Sequence, residues 1–340
     1  MTSTQATRPT AGGAAAMTGS ANGEGASRAA APWPDGHELF PGPGLSRQLR
    51  RFKYALRLLR ARPHLEDLRE QVLATPAWLR LFEGEPRLYY PLVTRAVDRR
   101  LGLAQRSSMF RHDLATAHRV FGEAICALLA KRRPWAWPAL DTEWQLVLEV
   151  NAVSFHEGFW SVCLRHRDGG RAYHAGFAFQ PDRRVLIAGI QGPRGHEWPG
   201  HDPKDIVRDL TKLCEGLRPP HLLLEAIRAV ALAAGATELV GIDPRHHIKG
   251  AWNHRSKRLK FDYAEFWTEG GGAVGADGNW HLPLAGARRD LADAPSKKRA
   301  MYRRRYALLD QLAANWAHRT AVSAGAPDIG LEAGAQPPKK

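Results

Sequence analysis

The chain has 340 residues, of which 44% are hydrophobic and 24% are charged, as in an ordinary globular protein, and its formal net charge is +15. No stretch approaches the roughly 18 apolar residues that a membrane span needs, and the N-terminus lacks the basic and apolar regions of a signal peptide. Its three cysteines lie far apart, which excludes a disulfide framework and a zinc knuckle. We therefore expect a cytoplasmic protein.

The excess of cations favours anionic partners, such as nucleic acid, acidic lipid or a phosphate-bearing small molecule. An Arg-rich composition throughout the genome would produce the same excess, so the charge alone does not identify a partner.

Both ends of the chain are poor in large apolar side chains. Residues 1–36 and 321–340 consist mostly of small and polar residues, a composition typical of disordered tails. Between them we predict a helical region over residues 44–135 and an α+β domain over residues 140–320. The Pro-rich stretch "KRRPWAWPAL" at 131–140 marks the predicted boundary.

The helical region begins with "LSRQLRRFKYALRLLRARP" at 45–63. Its large apolar residues recur at steps of three and four: Leu49, Phe52, Leu56 and Leu59. This spacing predicts an amphipathic helix with Ser46 as its N-cap and Pro63 beyond its end.

After Asp141 the apolar residues alternate, which predicts strands with one buried face. Four such segments predict an antiparallel meander: 144–151, 158–166, 172–179 and 184–190. Two helical segments, a short buried strand at 238–242, another helix, a terminal strand or hairpin and a basic helix follow. The predicted fold class is α+β, with an N-terminal helical region followed by a mostly antiparallel sheet with flanking helices.

Several stretches of the C-terminal half resemble the VirK/YbjX family of bacterial proteins, over residues 188–316. They are "IQG" (190–192), "LTKLCEGLRPPHLLLEAI" (210–227), "DYAEFWTEGGG" (262–272) and "SKKRAMYRRRYALLD" (296–310). The resemblance implies a Gram-negative cytoplasmic protein with no assigned reaction. Some members of that family are linked to virulence or stress resistance.

The order of elements also resembles, more weakly, the GNAT acyltransferase fold. There the loop after the fourth strand reads Q/R-x-x-G-x-G/A, and its backbone N–H groups hold the pyrophosphate of coenzyme A. Here Gln191 begins the loop, Arg194 stands where a glycine is expected, and Gly195 follows one residue late. The resemblance implies a GNAT-like core and a coenzyme A-type donor held by Gln191, Gly192, Arg194 and Gly195.

The residues of this loop allow two interpretations. A Gly-rich turn before a helix N-terminus is suited to a phosphate, and Arg194 adds a cation. Alternatively, the loop is only a turn between elements, because Asp202 and Asp205 at the helix start would repel a phosphate.

Three residues are candidates for catalysis. The GNAT resemblance implies that Tyr263 protonates a leaving thiolate, although an aromatic stripe at this spacing is also typical of core packing. His247, or its neighbour His246, follows the predicted strand at 238–242 and is a candidate general base, or else a solvated loop residue. Glu269, which precedes a Gly triplet, is the third candidate.

The histidines of "HEWPGHD" at 196–202 do not predict a metal site. His196 and His201 are five residues apart, and Pro199 and Gly200 prevent the helical turn that would bring them together.

Two segments, "HRSKRLKF" (254–261) and "SKKRAMYRRRY" (296–306), interleave cations with aromatics, as in some nucleic-acid or anionic-lipid binding surfaces. No nucleic-acid-binding motif accompanies them, and a solvated basic face has the same pattern.

Two functions from different classes remain open. One is a GNAT-like acyltransferase that uses an acyl-coenzyme A or similar donor. The other is a non-enzymatic stress- or virulence-associated factor that binds an anionic partner through its basic surface.

Overall fold

The computed structural model describes residues 33–193, 198, 202–250 and 261–323, which belong to one compact unit. The described helices are α1 (Gly36–Leu39), α2 (Leu45–Ala74), α3 (Pro76–Gly84), α4 (Tyr90–Val93), α5 (Leu103–Ala130), α6 (Pro203–Leu213), α7 (Pro219–Ala233), α8 (Tyr263–Glu269) and α9 (Ser296–Ser323). The tails predicted to be disordered lie outside the described residues except for 33–36 and 321–323.

The described strands form one eight-stranded sheet in the order β1-β2-β3-β4-β5-β6-β8-β7. Their bounds are β1 (Trp135–Ala136), β2 (Trp144–Val150), β3 (Trp160–His166), β4 (Arg171–Gln180), β5 (Arg184–Gln191), β6 (Glu238–Gly241), β7 (Ala273–Val274) and β8 (Trp280–Leu282). Strands β2 to β5 pair antiparallel, and β6 pairs parallel to β5. The predicted meander, the strand that joins it and the α+β class are therefore confirmed.

The helical region and the sheet share one hydrophobic core. Helices α5 and α7 pack on the central strands, and α9 contacts both helices. An aromatic cluster joins the two parts: Trp137 stacks on Trp316 of α9 with ring centroids 5.4 Å apart, and Trp135 meets the same ring edge-on. The Pro-rich stretch predicted as a boundary thus lies inside the packed unit.

Helix α2 differs from the prediction in its length and in its buried face. It starts at Leu45 after Gly44 and continues through Pro63 to Ala74, because Leu65, Leu68 and Val72 extend its buried face. That burial offsets the roughly 3 kcal/mol cost of an internal proline. The residues that predicted the apolar face are exposed: Leu49, Phe52, Leu56 and Leu59.

Asp113 of α5 is a fully buried carboxyl group at the junction of this helix with the sheet. Its Oδ1 accepts hydrogen bonds from Trp160 Nε1 (3.0 Å) and from the backbone N–H of Phe179 (2.7 Å). Burial outweighs these two bonds and raises the pKa of Asp113 to about 8. The side chain is therefore protonated at neutral pH.

We expect Asp113→Asn to reduce the pH dependence of stability. Because the folded pKa is raised, the stability that wild-type Asp113 contributes is fully present below its unfolded pKa of 3.8 and is lost as pH rises through about 8. The loss is about 1.4 kcal/mol per pH unit within this window. Urea unfolding of both proteins at several pH values measures it. Parallel stability curves would contradict the assignment.

Candidate functional site

A buried carboxylate, Glu157, gathers polar side chains from two distant parts of the chain. It lies between β2 and β3 and is 1% exposed. Lys249 Nζ lies 2.6 Å from its Oε1, and Gln191 Nε2 donates to its Oε2 at 2.7 Å. His247 Nε2 lies 3.5 Å from Oε1. The group therefore brings Gln191, at the end of β5, next to the loop that follows β6.

The loop that carries Glu157 is shaped by local hydrogen bonds. Asn151 Nδ2 donates to the carbonyl of Ser154, and Asn151 Oδ1 accepts from the N–H of Ser154. Gly189 of β5 allows the carboxylate to approach the sheet, since a Cβ at this position would lie 2.5 Å from Glu157 Oε2. Any other residue at position 189 would force the carboxylate away.

The charge on Glu157 is maintained by its neighbours. Burial alone would raise the pKa of this carboxyl group, but the His247 imidazole and the Lys249 ammonium together lower the pKa to about 2. Glu157 is therefore ionised at neutral pH although it is buried.

His247, predicted as a general base, faces this carboxylate and is 1% exposed. Its Nδ1 accepts a hydrogen bond from the backbone N–H of Lys249 at 3.1 Å. The ring proton of this tautomer is on Nε2, directed towards Glu157. In this arrangement His247 stabilises the carboxylate.

Tyr263, predicted as a general acid, lies at the start of α8 and is 2% exposed. Its hydroxyl accepts from the N–H of Ile190 at 3.0 Å and donates to the Ile190 carbonyl at 3.3 Å. Burial raises the pKa of this phenol above its ordinary value of 10.0. The side chain thus bridges to the part of β5 that extends past its pairing with β6.

Of the residues predicted to hold a cofactor, Gln191 and Gly192 are described, whereas Arg194 and Gly195 lie outside the described residues, as do His196 and His201. Gln191 donates to Glu157. Gly192 lies against Tyr173, because a Cβ there would be 3.1 Å from the ring atom Cε1.

Glu269 lies apart from His247 and Tyr263. It forms an ion pair with Arg218, and His221 Nε2 lies 3.5 Å from Glu269 Oε2, although burial lowers the pKa of His221 to about 4, so that its ring is neutral at pH 7. Glu269 and His221 line a cavity of about 380 Å³ that Tyr302 of α9 also lines. The three predicted catalytic residues are therefore divided between two places.

In the predicted basic segments, some of the cationic side chains are already bonded to other groups of the protein. Residues 254–260 lie outside the described residues. On α9, the Arg304 guanidinium makes two hydrogen bonds to the carboxylate of Glu215, and Arg305 donates to the carbonyl of the same residue. Arg303 is exposed.

A larger cavity of about 850 Å³ lies beside the Glu157 group. Its lining combines four cationic side chains with apolar and small polar ones: Arg57, Arg95, Arg106, Lys249, Tyr90, Val93, Ile248, Thr94, Ser154 and His156. None of these described lining residues is acidic. Such a volume suits a small-molecule ligand.

Arg106 of α5 is the buried cation of this cavity, with 6% exposure. Its Nε and Nη1 donate to the carbonyls of Leu92 and Leu101, both at 3.2 Å. Among the described residues no carboxylate forms an ion pair with it, and burial lowers its pKa to about 10. Arg106 is therefore charged at neutral pH without a counter-ion in the described part of the chain, which is costly unless an anion binds.

His156 gives the same cavity a proton acceptor. Its Nδ1 donates to the carbonyl of Arg95 at 2.9 Å, which leaves Nε2 unprotonated in the neutral ring. Burial lowers the pKa of His156, so the neutral form prevails at pH 7. A ligand hydroxyl or ammonium group could donate a hydrogen bond to this nitrogen.

Sequence analysis missed Glu157, Arg106 and His156. Arg106 had a detectable signal, because it lies three and four residues before Met109 and Phe110 on an apolar helix face. For Glu157 and His156 the segment "FHEGFW" offers no such periodicity.

We expect Glu157→Gln to lower the free energy of unfolding at neutral pH by about 1–3 kcal/mol, since Lys249 and His247 lose their shared anion. Because the folded pKa of Glu157 is depressed, its contribution is present above its ordinary pKa of 4.5 and is lost as pH falls towards about 2. Chemical unfolding across this range measures both effects.

The matched control is Glu66→Gln, which removes an ion pair on α2 between the exposed Glu66 and the partly exposed Arg69. It should change stability by less than about 0.5 kcal/mol. An equal loss in both variants would contradict the role assigned to Glu157.

Within the described residues, no helix is long and apolar enough to cross a membrane. No solved structure matches the chain. Two uncharacterized proteins of Haemophilus influenzae are similar to it: one is 32% identical over 69% of this chain and 78% of the relative, the other 30% identical over 83% and 93%. A Mannheimia haemolytica relative, named membrane protein LapB, is 28% identical over 64% of this chain and 94% of its own length. The family model described as "Protein of unknown function (DUF535)" matches residues 43–318, and the chain belongs to that family.

Proposed function

We propose that this protein binds a phosphate- or carboxylate-bearing amphiphile in the cavity beside Glu157. The observation that carries the proposal is the buried Arg106, which lines the cavity and has no carboxylate partner among the described residues. A bound anion would supply the missing counter-ion.

The other lining residues define the class of ligand. Arg57, Arg95 and Lys249 add positive charge, and guanidinium groups bind phosphate or carboxylate oxygens through paired hydrogen bonds. Tyr90, Val93 and Ile248 add apolar surface suited to a hydrocarbon portion. The Mannheimia relative is named a membrane protein, which is compatible with a ligand derived from lipid.

A single-chain phospholipid, lysophosphatidic acid, is a suitable probe. We expect it to raise the melting temperature of the protein, whereas an uncharged monoacylglycerol of the same chain length should not. Arg106→Gln should weaken binding by about 1.5–3 kcal/mol, as expected for the loss of a charge-assisted contact. Calorimetric titration measures the affinity.

Arg106 also donates hydrogen bonds to two backbone carbonyl groups, so its substitution is expected to lower stability as well as ligand affinity. A second variant is needed to separate the two effects. Arg95 is exposed, and Arg95→Gln should weaken binding while leaving the melting temperature of the free protein unchanged. Arg80→Gln removes an exposed cation of α3 outside the cavity and should alter neither quantity. Equal losses in the Arg95 and Arg80 variants, or no response to any anionic probe, would contradict the proposal.

Acyl transfer is the second candidate function, and the sheet supports it. The meander and the parallel partner of β5 occur in the order that the GNAT resemblance implies, although two helices, α6 and α7, stand between β5 and β6 where that fold has one. Strand β5 pairs with β6 only up to Ile187 and continues to Gln191. A ligand that entered between these strands would compete with the Tyr263 hydroxyl for the N–H and carbonyl groups of Ile190.

If the loop after β5 holds a coenzyme A-type donor, coenzyme A should raise the melting temperature of the wild-type protein. Arg194→Ala should then weaken its binding by about 1.5–3 kcal/mol without changing the stability of the free protein. Tyr263→Phe should abolish transfer while binding persists, if the phenol is the acid. A destabilised Arg194 variant, or a wild-type protein indifferent to coenzyme A and acyl-coenzyme A, would favour the interpretation of the loop as a turn.

A further inference from the structure

Helix α2 has two apolar faces, and only one of them is covered by the core. Five large apolar side chains point to solvent: Leu45 is 85% exposed, Leu49 52%, Phe52 66%, Leu56 40% and Leu59 66%. They recur at alternating steps of four and three, so they form one continuous row along the helix. We call this row the exposed α2 face.

The opposite side of the same helix packs into the protein. Tyr54, Leu58 and Ala61 are buried there. At about 100° per residue, they fall opposite the exposed α2 face. The exposed row is therefore a second apolar face of α2, because a different set of residues forms the face that packs into the core.

The charge around the exposed α2 face has one sign. Residues 45–65 contain seven Lys and Arg residues and no Asp or Glu. At about 100° per residue, Lys53 and Arg60 flank one side of the row and Arg62 flanks the other. Contiguous exposed apolar surface of this kind marks an interaction site.

This charge decides among the possible occupants. Two copies of the helix, packed row against row, would bring the flanking cations Lys53, Arg60 and Arg62 of one copy close to those of the other, with no acidic residue in 45–65 to neutralise them, and would repel each other. An anionic lipid bilayer fits both properties, because apolar side chains enter the acyl region while Lys and Arg contact the phosphates.

We propose that the exposed α2 face binds to the surface of an anionic lipid bilayer, with the helix lying in the plane of the headgroups. The binding is peripheral and reversible, since one amphipathic face is buried only at the boundary between headgroups and acyl chains. This inference goes beyond the proposed ligand and does not depend on it. Arg57 belongs to the same helix and also lines the large cavity.

The experiment uses the full chain and lipid vesicles in a flotation assay. The protein should bind vesicles that contain phosphatidylglycerol, and binding should weaken on addition of salt and be much weaker to vesicles of phosphatidylcholine alone. Leu49→Ser combined with Phe52→Ser should lower the partition coefficient at least about tenfold, with an unchanged melting temperature because both residues are exposed.

Lys53→Gln tests the charges and should lower the partition coefficient about fivefold. Two matched controls should have little effect. Leu232→Ser removes a side chain that is 54% exposed on α7, and Arg303→Gln removes an exposed cation on α9.

Three outcomes would overturn the proposal. In the first, the protein does not bind anionic vesicles. In the second, the control variants weaken binding as much as the α2 variants, which would indicate nonspecific attraction by net charge. In the third, sedimentation shows a dimer that the Leu49→Ser and Phe52→Ser changes dissociate, which would identify a second copy as the occupant.

Discussion

The ionised carboxylate of Glu157, buried beneath the sheet's connecting loops, is the constraint on which the geometry of the site depends. A buried charge of this kind persists only while neighbouring donors replace the water that it has lost. Lys249 and Gln191 donate to it, and His247 directs a ring nitrogen at it. The loop between β2 and β3, the end of β5 and the loop after β6 are therefore held in register by one group.

This arrangement explains why the sequence predicts the sheet but not the site. The strands are predicted by alternating apolar residues. This pattern is local in the sequence and is expected wherever one face of a strand is buried. Glu157 and Lys249 are 92 residues apart, and Glu157 and Gln191 are 34 apart. Nothing local in "FHEGFW" indicates that its carboxylate turns inward. The identity of the neighbours is a property of the topology, which periodicity does not specify.

Helix α2 shows a different limit of periodicity. The spacing of its apolar residues correctly predicts a helix. It does not identify the buried face, because α2 carries two rows of apolar residues and only one of them packs against the core. Tyr54, Leu58, Leu65 and Leu68 form the second row and pack inside, so the prediction that the helix ends before Pro63 was wrong. The visible pattern was the solvent-facing one, because leucines and a phenylalanine at regular steps are more conspicuous than a row interrupted by smaller side chains.

The cavity and the loop after β5 are distinct candidate sites, yet one residue of each contacts Glu157. Lys249 lines the cavity, and Gln191 begins the loop; each binds a different oxygen of the same carboxylate. An anion that attracted Lys249 into the cavity would remove the nearest cation from Glu157. The Glu157 carboxylate would then depend more on the contacts with Gln191 and His247. A ligand that engaged Gln191 at the end of β5 would have the converse effect on Lys249. If both proposed ligands bind, each would therefore change the hydrogen bonds and charges around Glu157 that help to position the other site.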